Sequence, residues 1–135
     1  GDPQEPRSEV RYPSAHADAF SGPDGLHFDA GGLLWIQTDR DNSLEHEAAW
    51  ERLGNNALLC ANPATGEIRR FLVGPRGCEL TGCVLTPDRR TLFVNVQHPG
   101  ERDESGGAGG GWPDGGRPRS ATLAVRRIDG GIVGS

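Results

Sequence analysis

The chain contains no lysine, so its 14 basic side chains are all arginine. That usage reflects genome base composition more than function. Set against 19 acidic residues it leaves a formal net charge of −5 and no basic stripe, which argues against a nucleic-acid partner. No apolar run approaches the ~18 residues of a membrane-spanning helix. There is no charged-then-apolar leader, so an export signal would have been removed or would lie outside this stretch. The cysteines Cys60, Cys78 and Cys83 are odd in number and have no CxxC spacing, which excludes a zinc knuckle and a disulfide framework. Their spacing admits a Cys78–Cys83 bridge, although buried free thiols are the favoured reading. GxSxG, HExxH, P-loop and dinucleotide fingerprints are all missing. The glycines of "SGGAGGGWPDGG" lack the preceding strand and following helix of a phosphate cradle.

What remains is a chain of 135 residues with 34% hydrophobic content, enough for one modest domain with one core. Its 21 glycines and 10 prolines, with little helical periodicity, predict many short strands joined by tight turns. Residues 1–22 are proline-rich and predict an extended N-terminal arm or linker. "PDGLHFDAGGLLWIQTD" follows as a hairpin over 25–38 turning at 29–32. In "DNSLEHEAAWERLGNN" Asn42 and Glu45 have capping-box spacing and Gly54 is a stop signal, so one short inserted helix is expected. Further hairpins are expected over 57–72, turning at 62–66, and over 82–96, turning at 86–90. After the glycine-rich loop 100–119, "SATLAVRRI" predicts a strand, and "DGG" turns the chain into a fourth strand beginning at "IVGS".

The first and third hairpins resemble each other. Gly25 and Gly82 are 57 residues apart, and Trp35 and Phe93 are 58 apart. Without the helical insert the repeat approaches the ~40–45 residues of a common propeller blade. The expected fold is therefore all-β: a partial antiparallel β-propeller of about two blades, complete over 23–73 and incomplete over 79–135. The alternative is a small standalone β-sandwich with two similar hairpins. Two blades cannot close a ring of at least ~4, so the chain is expected to be the terminal piece of a larger propeller. In isolation its unpaired strand edges would favour self-association.

Asp24 and Glu79 are each expected immediately before the first, innermost strand of a blade, at the entry to the strand that lines the central channel. Carboxylates converging there repel each other and persist best around a hard cation such as calcium, which takes ~6–8 oxygen ligands. An ordinary turn explains Asp24 in "PDG" equally well, whereas Glu79 has no turn role and disfavours a strand start. His98, placed before Pro99, is expected to be extended and aimed at the channel mouth, or to be a polar strand exit. Glu101 reads as solvated, Asp39 as either a loop carboxylate or a ligand, and Asp29 and Asp88 as turn residues without chemistry.

The segments "PDGLHFDAGGLLWIQTD" and "GNNALLCANPATGEIRRFLVGPRGCELTGCVLTPDRRTLFVNVQHPGE", in this order, resemble the C-terminal part of the PhoX family of alkaline phosphatases. The resemblance is dense over about residues 20–101, and GCELTG and NVQHPGE are its most specific parts. It implies an exported phosphatase, periplasmic or extracellular, that hydrolyses phosphate monoesters with calcium and ferric iron in a propeller channel. Asp24 in PDGL and Glu79 in GCELTG would be calcium ligands. The iron-binding cysteine and most other ligands would lie in blades outside this chain, so Cys78 and Cys83 do not take that role and the chain alone would be inactive. Two other functions were open to the sequence: a gluconolactonase/regucalcin-like metal-binding propeller, which leaves GCELTG and NVQHPGE unexplained, and a non-catalytic propeller interaction domain displaying the loop at 105–116.

Overall fold

The computed structural model of the chain describes residues 18–40, 53–100 and 111–135. Seven strands are present among them: β1 (Pro23–Phe28), β2 (Leu34–Thr38), β3 (Ala57–Asn62), β4 (Glu67–Val73), β5 (Glu79–Leu85), β6 (Leu92–Gln97) and β7 (Ala121–Val125). They form a four-stranded sheet in the order β1-β2-β3-β4 and a three-stranded sheet in the order β5-β6-β7. Every pairing is antiparallel, so each sheet is an up-and-down meander of the kind that makes a propeller blade. All three expected hairpins are formed. The inserted helix falls on residues outside the described ones, as do most of the arm and Glu101.

Alternation in each strand sets the packing. Trp35 and Leu58 of the first sheet meet Leu80, Leu92, Val94 and Val96 of the second, all of them fully buried. Burial of each such side chain contributes roughly 1.5–3 kcal/mol. Phe71 meets Trp35 edge-on, with ring centroids 5.0 Å apart and planes at 89°. On its other face the first sheet carries Ile36, Leu59 and Ala61, partly covered by Phe20. Residues 18–22 do cling to this blade: the Asp18 carboxylate accepts the Arg70 backbone N–H at 2.8 Å, and the Gly22 carbonyl accepts that of Asp39 at 2.9 Å.

The repeat suggested by the sequence holds in three dimensions. The inner strand of each blade slips register at the same place, between Pro23 and Leu26 in β1 and between Thr81 and Val84 in β5. A bulge of this kind sharpens the local twist. Gly82 supplies the bulge with φ of +63°, and a Cβ on it would lie 2.4 Å from the Asn95 amide nitrogen. A Cβ on Gly25 would lie 2.2 Å from the amide oxygen of Gln37, the residue equivalent to Asn95. An amide from the second strand thus lies over a glycine of the first in both blades.

Buried Cys83 and half-buried Leu85, which pack in the inter-blade core, are matched in the first blade by Leu26 and Phe28, exposed at 65% and 64%. Leu26 and Phe28 stand in register with Ile36 and Leu34, so this sheet presents an apolar face shaped like the one its neighbour buries. At the other end of the chain the expected fourth strand does not form. Residues 128–135 run as turns, and Val133 inserts into the inter-blade core, its N–H bonded to the Arg89 carbonyl at 2.9 Å.

Asp29 does more than close the first hairpin. Its buried carboxylate accepts the backbone N–H groups of Gly31 (2.7 Å) and Leu33 (3.1 Å) and the indole N–H of Trp35 (3.2 Å), and Arg89 of the second blade stands 4.0 Å away. Removing it would leave the buried Trp35 indole N–H unsatisfied in the core and untie the half-exposed hairpin turn. Asp29→Ala is therefore expected to destabilise the fold by about 2–3 kcal/mol in urea titrations. Asp88→Ala, in an exposed turn where among the described residues the carboxylate bonds Thr86 and Arg90, should cost far less. Equal losses for the two variants would contradict this role.

Candidate cation-facing carboxylate site

The turn between the blades, residues 74–78, delivers the chain to Glu79, the first residue of β5. Asn56, only 2% exposed, fixes that approach: its side-chain N–H donates to the Cys78 carbonyl at 2.9 Å. The same amide donates to the Arg40 carbonyl (3.1 Å) and accepts from the Arg40 N–H (2.7 Å) and the Thr38 hydroxyl (2.9 Å). Asp39 lies between those two residues and is exposed. Asn56 therefore holds the Thr38 hydroxyl and the Arg40 backbone on the two sides of Asp39, and the backbone just ahead of Glu79.

Glu79 is 9% exposed. Gln97, its register partner across the hairpin, donates to Oε2 at 3.0 Å. The Nε2 of His98 lies 3.3 Å from the same oxygen and donates to it in the tautomer that carries the proton there. Burial holds the Glu79 carboxyl above its ordinary pKa, and the charges of Asp39 and Asp24 push the same way, while the His98 bond pulls it back. The net direction is upward, so desolvation and like charge outweigh the pull of His98.

Asp24, the second residue of β1, and Asp39 are thus brought within electrostatic range of Glu79, both of them exposed. Asp24 and Glu79 sit inside their strands rather than ahead of them. Among the described residues no three His, Cys, Asp or Glu side chains gather closely enough to hold a metal ion by themselves. What the chain offers is a partial set of carboxylate oxygens, hard donors suited to calcium or magnesium rather than to soft metals.

His98 is not extended. Its φ is +34°, in the left-handed region that few side chains adopt. The preference of a pre-proline residue for extended backbone is overruled by the surrounding loop. There the His98 N–H bonds the Ser120 hydroxyl at 3.0 Å and the Gly100 N–H bonds the Arg76 carbonyl at 3.1 Å. The three cysteines are free thiols, with no bridge between Cys78 and Cys83. Burial pushes Cys60 up to about 11 and Cys78 and Cys83 up to about 12, so without a metal all remain protonated at neutral pH. Asn56 and Gln97 were not singled out by the sequence, where the only signal was the position of an amide next to a strand terminus.

These features define a pair of propeller-type blades carrying a buried carboxylate among other acidic groups. The sequence profile of the family described as alkaline phosphatase PhoX matches residues 1–100, which includes GCELTG and most of NVQHPGE. A solved structure, Pseudomonas fluorescens PhoX in complex with vanadate, a transition state analogue, is 53% identical and superimposes with a TM-score of 0.74. That match covers 87% of this chain and 20% of the other. No curated protein matches the chain. The chain belongs to the PhoX family of alkaline phosphatases. The match is to this family and not to a lactonase-type propeller family.

A carboxyl whose pKa is raised by folding destabilises the fold while ionised, and the cost is relieved as pH falls through that raised value. Neutral Glu79→Gln should therefore raise the thermal midpoint of the metal-free chain by about 2–5 °C at pH 7–8. The advantage should shrink toward about pH 4, where the native carboxyl is protonated as well. Melting curves across this range check it, and a destabilised Glu79→Gln at pH 8 would contradict the balance of charges described.

Proposed function

We propose that this chain forms the Glu79 side of the metal-binding channel in an exported, metal-dependent alkaline phosphatase that hydrolyses phosphate monoesters. The observation that carries the reading is Glu79 itself, a buried carboxylate kept in a strand among Asp24 and Asp39, in a chain of the PhoX family. An uncompensated cluster of this kind costs stability, and a hard cation offsets the cost.

Asp24 and Glu79 are the calcium ligands in this reading. Ferric iron, by the family reading, takes its cysteine and most other ligands from blades outside this chain. Bound in the channel, the metals supply an activated oxygen nucleophile and stabilise charge on the transferring phosphoryl group. Gln97 and His98 keep Oε2 occupied, while Asn56 fixes the peptide ahead of Glu79. The match covers 20% of the solved chain, and in this reading the remaining ligands and the phosphate-binding groups lie in further blades, which leaves this chain alone inactive. The face carrying Leu26 and Phe28 packs against one of those blades, and in the isolated chain it favours self-association. No helix among the described residues is long and apolar enough to cross a membrane. A periplasmic or extracellular location follows from the family reading.

In the full-length protein, Glu79→Gln is expected to lower calcium affinity and phosphomonoesterase rate by on the order of tenfold or more, because one charged oxygen ligand is lost. Thr81→Val, two residues along the strand, should change both much less. Assays of the two variants with a phosphomonoester decide the matter: equal, near-normal rates would reduce Glu79 to a structural residue.

A further inference from the structure

We propose that Gln97 and His98 are positioning residues that hold Oε2 of Glu79 so that Oε1 is the oxygen presented to a divalent cation. The inference rests on the assignment of Glu79 as a ligand. Both side chains address the same carboxylate oxygen, at 3.0 Å and 3.3 Å. Among the described residues no hydrogen bond reaches Oε1. A carboxylate serving only as a strand-end hydrogen-bond acceptor would gain by sharing its donors between its two oxygens. Stacking both on one oxygen instead fixes the rotation of the group and leaves the other oxygen available.

The two donors arrive by different routes. Gln97 reaches Glu79 through the β5–β6 register, which the bulge at Gly82 leaves intact at this end of the hairpin. His98 reaches it only because its backbone leaves the strand with φ of +34°. Continued extension, the ordinary state of a residue before proline, would turn successive side chains to opposite faces of the sheet and carry the imidazole away from its neighbour's target. The turned conformation lets Gln97 and His98, adjacent in sequence, address one atom. It is secured from outside the strand by the Ser120 hydroxyl, which accepts the His98 N–H, and by the Gly100–Arg76 backbone bond. Backbone strain retained by surrounding contacts fits a residue whose side-chain placement matters.

Calorimetric calcium titration of the full-length protein and its variants tests this. His98→Ala and Gln97→Leu are each expected to weaken calcium binding about tenfold. His98→Gln, which restores an amide donor at similar reach, should recover most of the loss, as a purely space-filling role would not. If Glu79→Gln weakens binding while both donor deletions stay within about twofold of the native protein, positioning is overturned and the ligand assignment stands. If Glu79→Gln itself leaves calcium binding unchanged, the ligand assignment falls and this inference falls with it. Should His98→Ala fail to fold, Gln97→Leu still decides, because Gln97 is an exposed residue at the strand end.

Discussion

Asn56 joins the two blades where Asp39 of one comes within electrostatic range of Glu79 of the other, and the site depends on it. Its side chain has two hydrogens to give and room for two to accept, and all four positions are filled by Cys78, Arg40 and Thr38. A buried amide with every valence satisfied resists rearrangement, because losing any one bond strands a polar group in the core. The residues it holds flank Asp39 on one strand exit and precede Glu79 at the start of the next inner strand. One side chain therefore sets the separation of two acidic groups that come from different blades.

That separation works against the stability of the isolated fold. Burial and the neighbouring charges of Asp39 and Asp24 all oppose ionisation of Glu79, and His98 offsets this only in part. A sequence selected for stability alone would place a neutral residue there. Local rules are most often broken at functional sites, and here two are broken side by side: an acid buried at a strand start and a histidine in the left-handed region before a proline. The apolar face of Leu26 and Phe28 follows the same logic, since it completes a packing pattern that the second blade already satisfies.

The hairpins were legible because their information is local. Apolar alternation in Leu26–Phe28, Leu92–Val96 and their partners, broken by Gly, Pro and Asp turns, fixes strand and turn together. The offset of Gly25 from Gly82 carried the blade repeat, and Glu79 was conspicuous as an acid with no turn role. Tertiary contacts were not legible in this way. Asp29 is the turn residue it looked to be, yet its carboxylate also anchors Trp35 beside Arg89 of the other blade. His98 obeys its loop instead of its proline. Asn56 and Gln97 are amides near strand ends, indistinguishable in sequence from solvated loop residues until their partners are known. "IVGS" has the composition of a strand, but Val133 gains more by filling the inter-blade core.

The central claim is that Glu79 faces a cation across the channel. A crystal structure of the full-length protein grown with calcium tests it most directly. The account predicts cation density against Oε1 of Glu79, with Gln97 and His98 still on Oε2. A Glu79 carboxylate that meets only Gln97, His98 and solvent, with every calcium bound elsewhere, would contradict it.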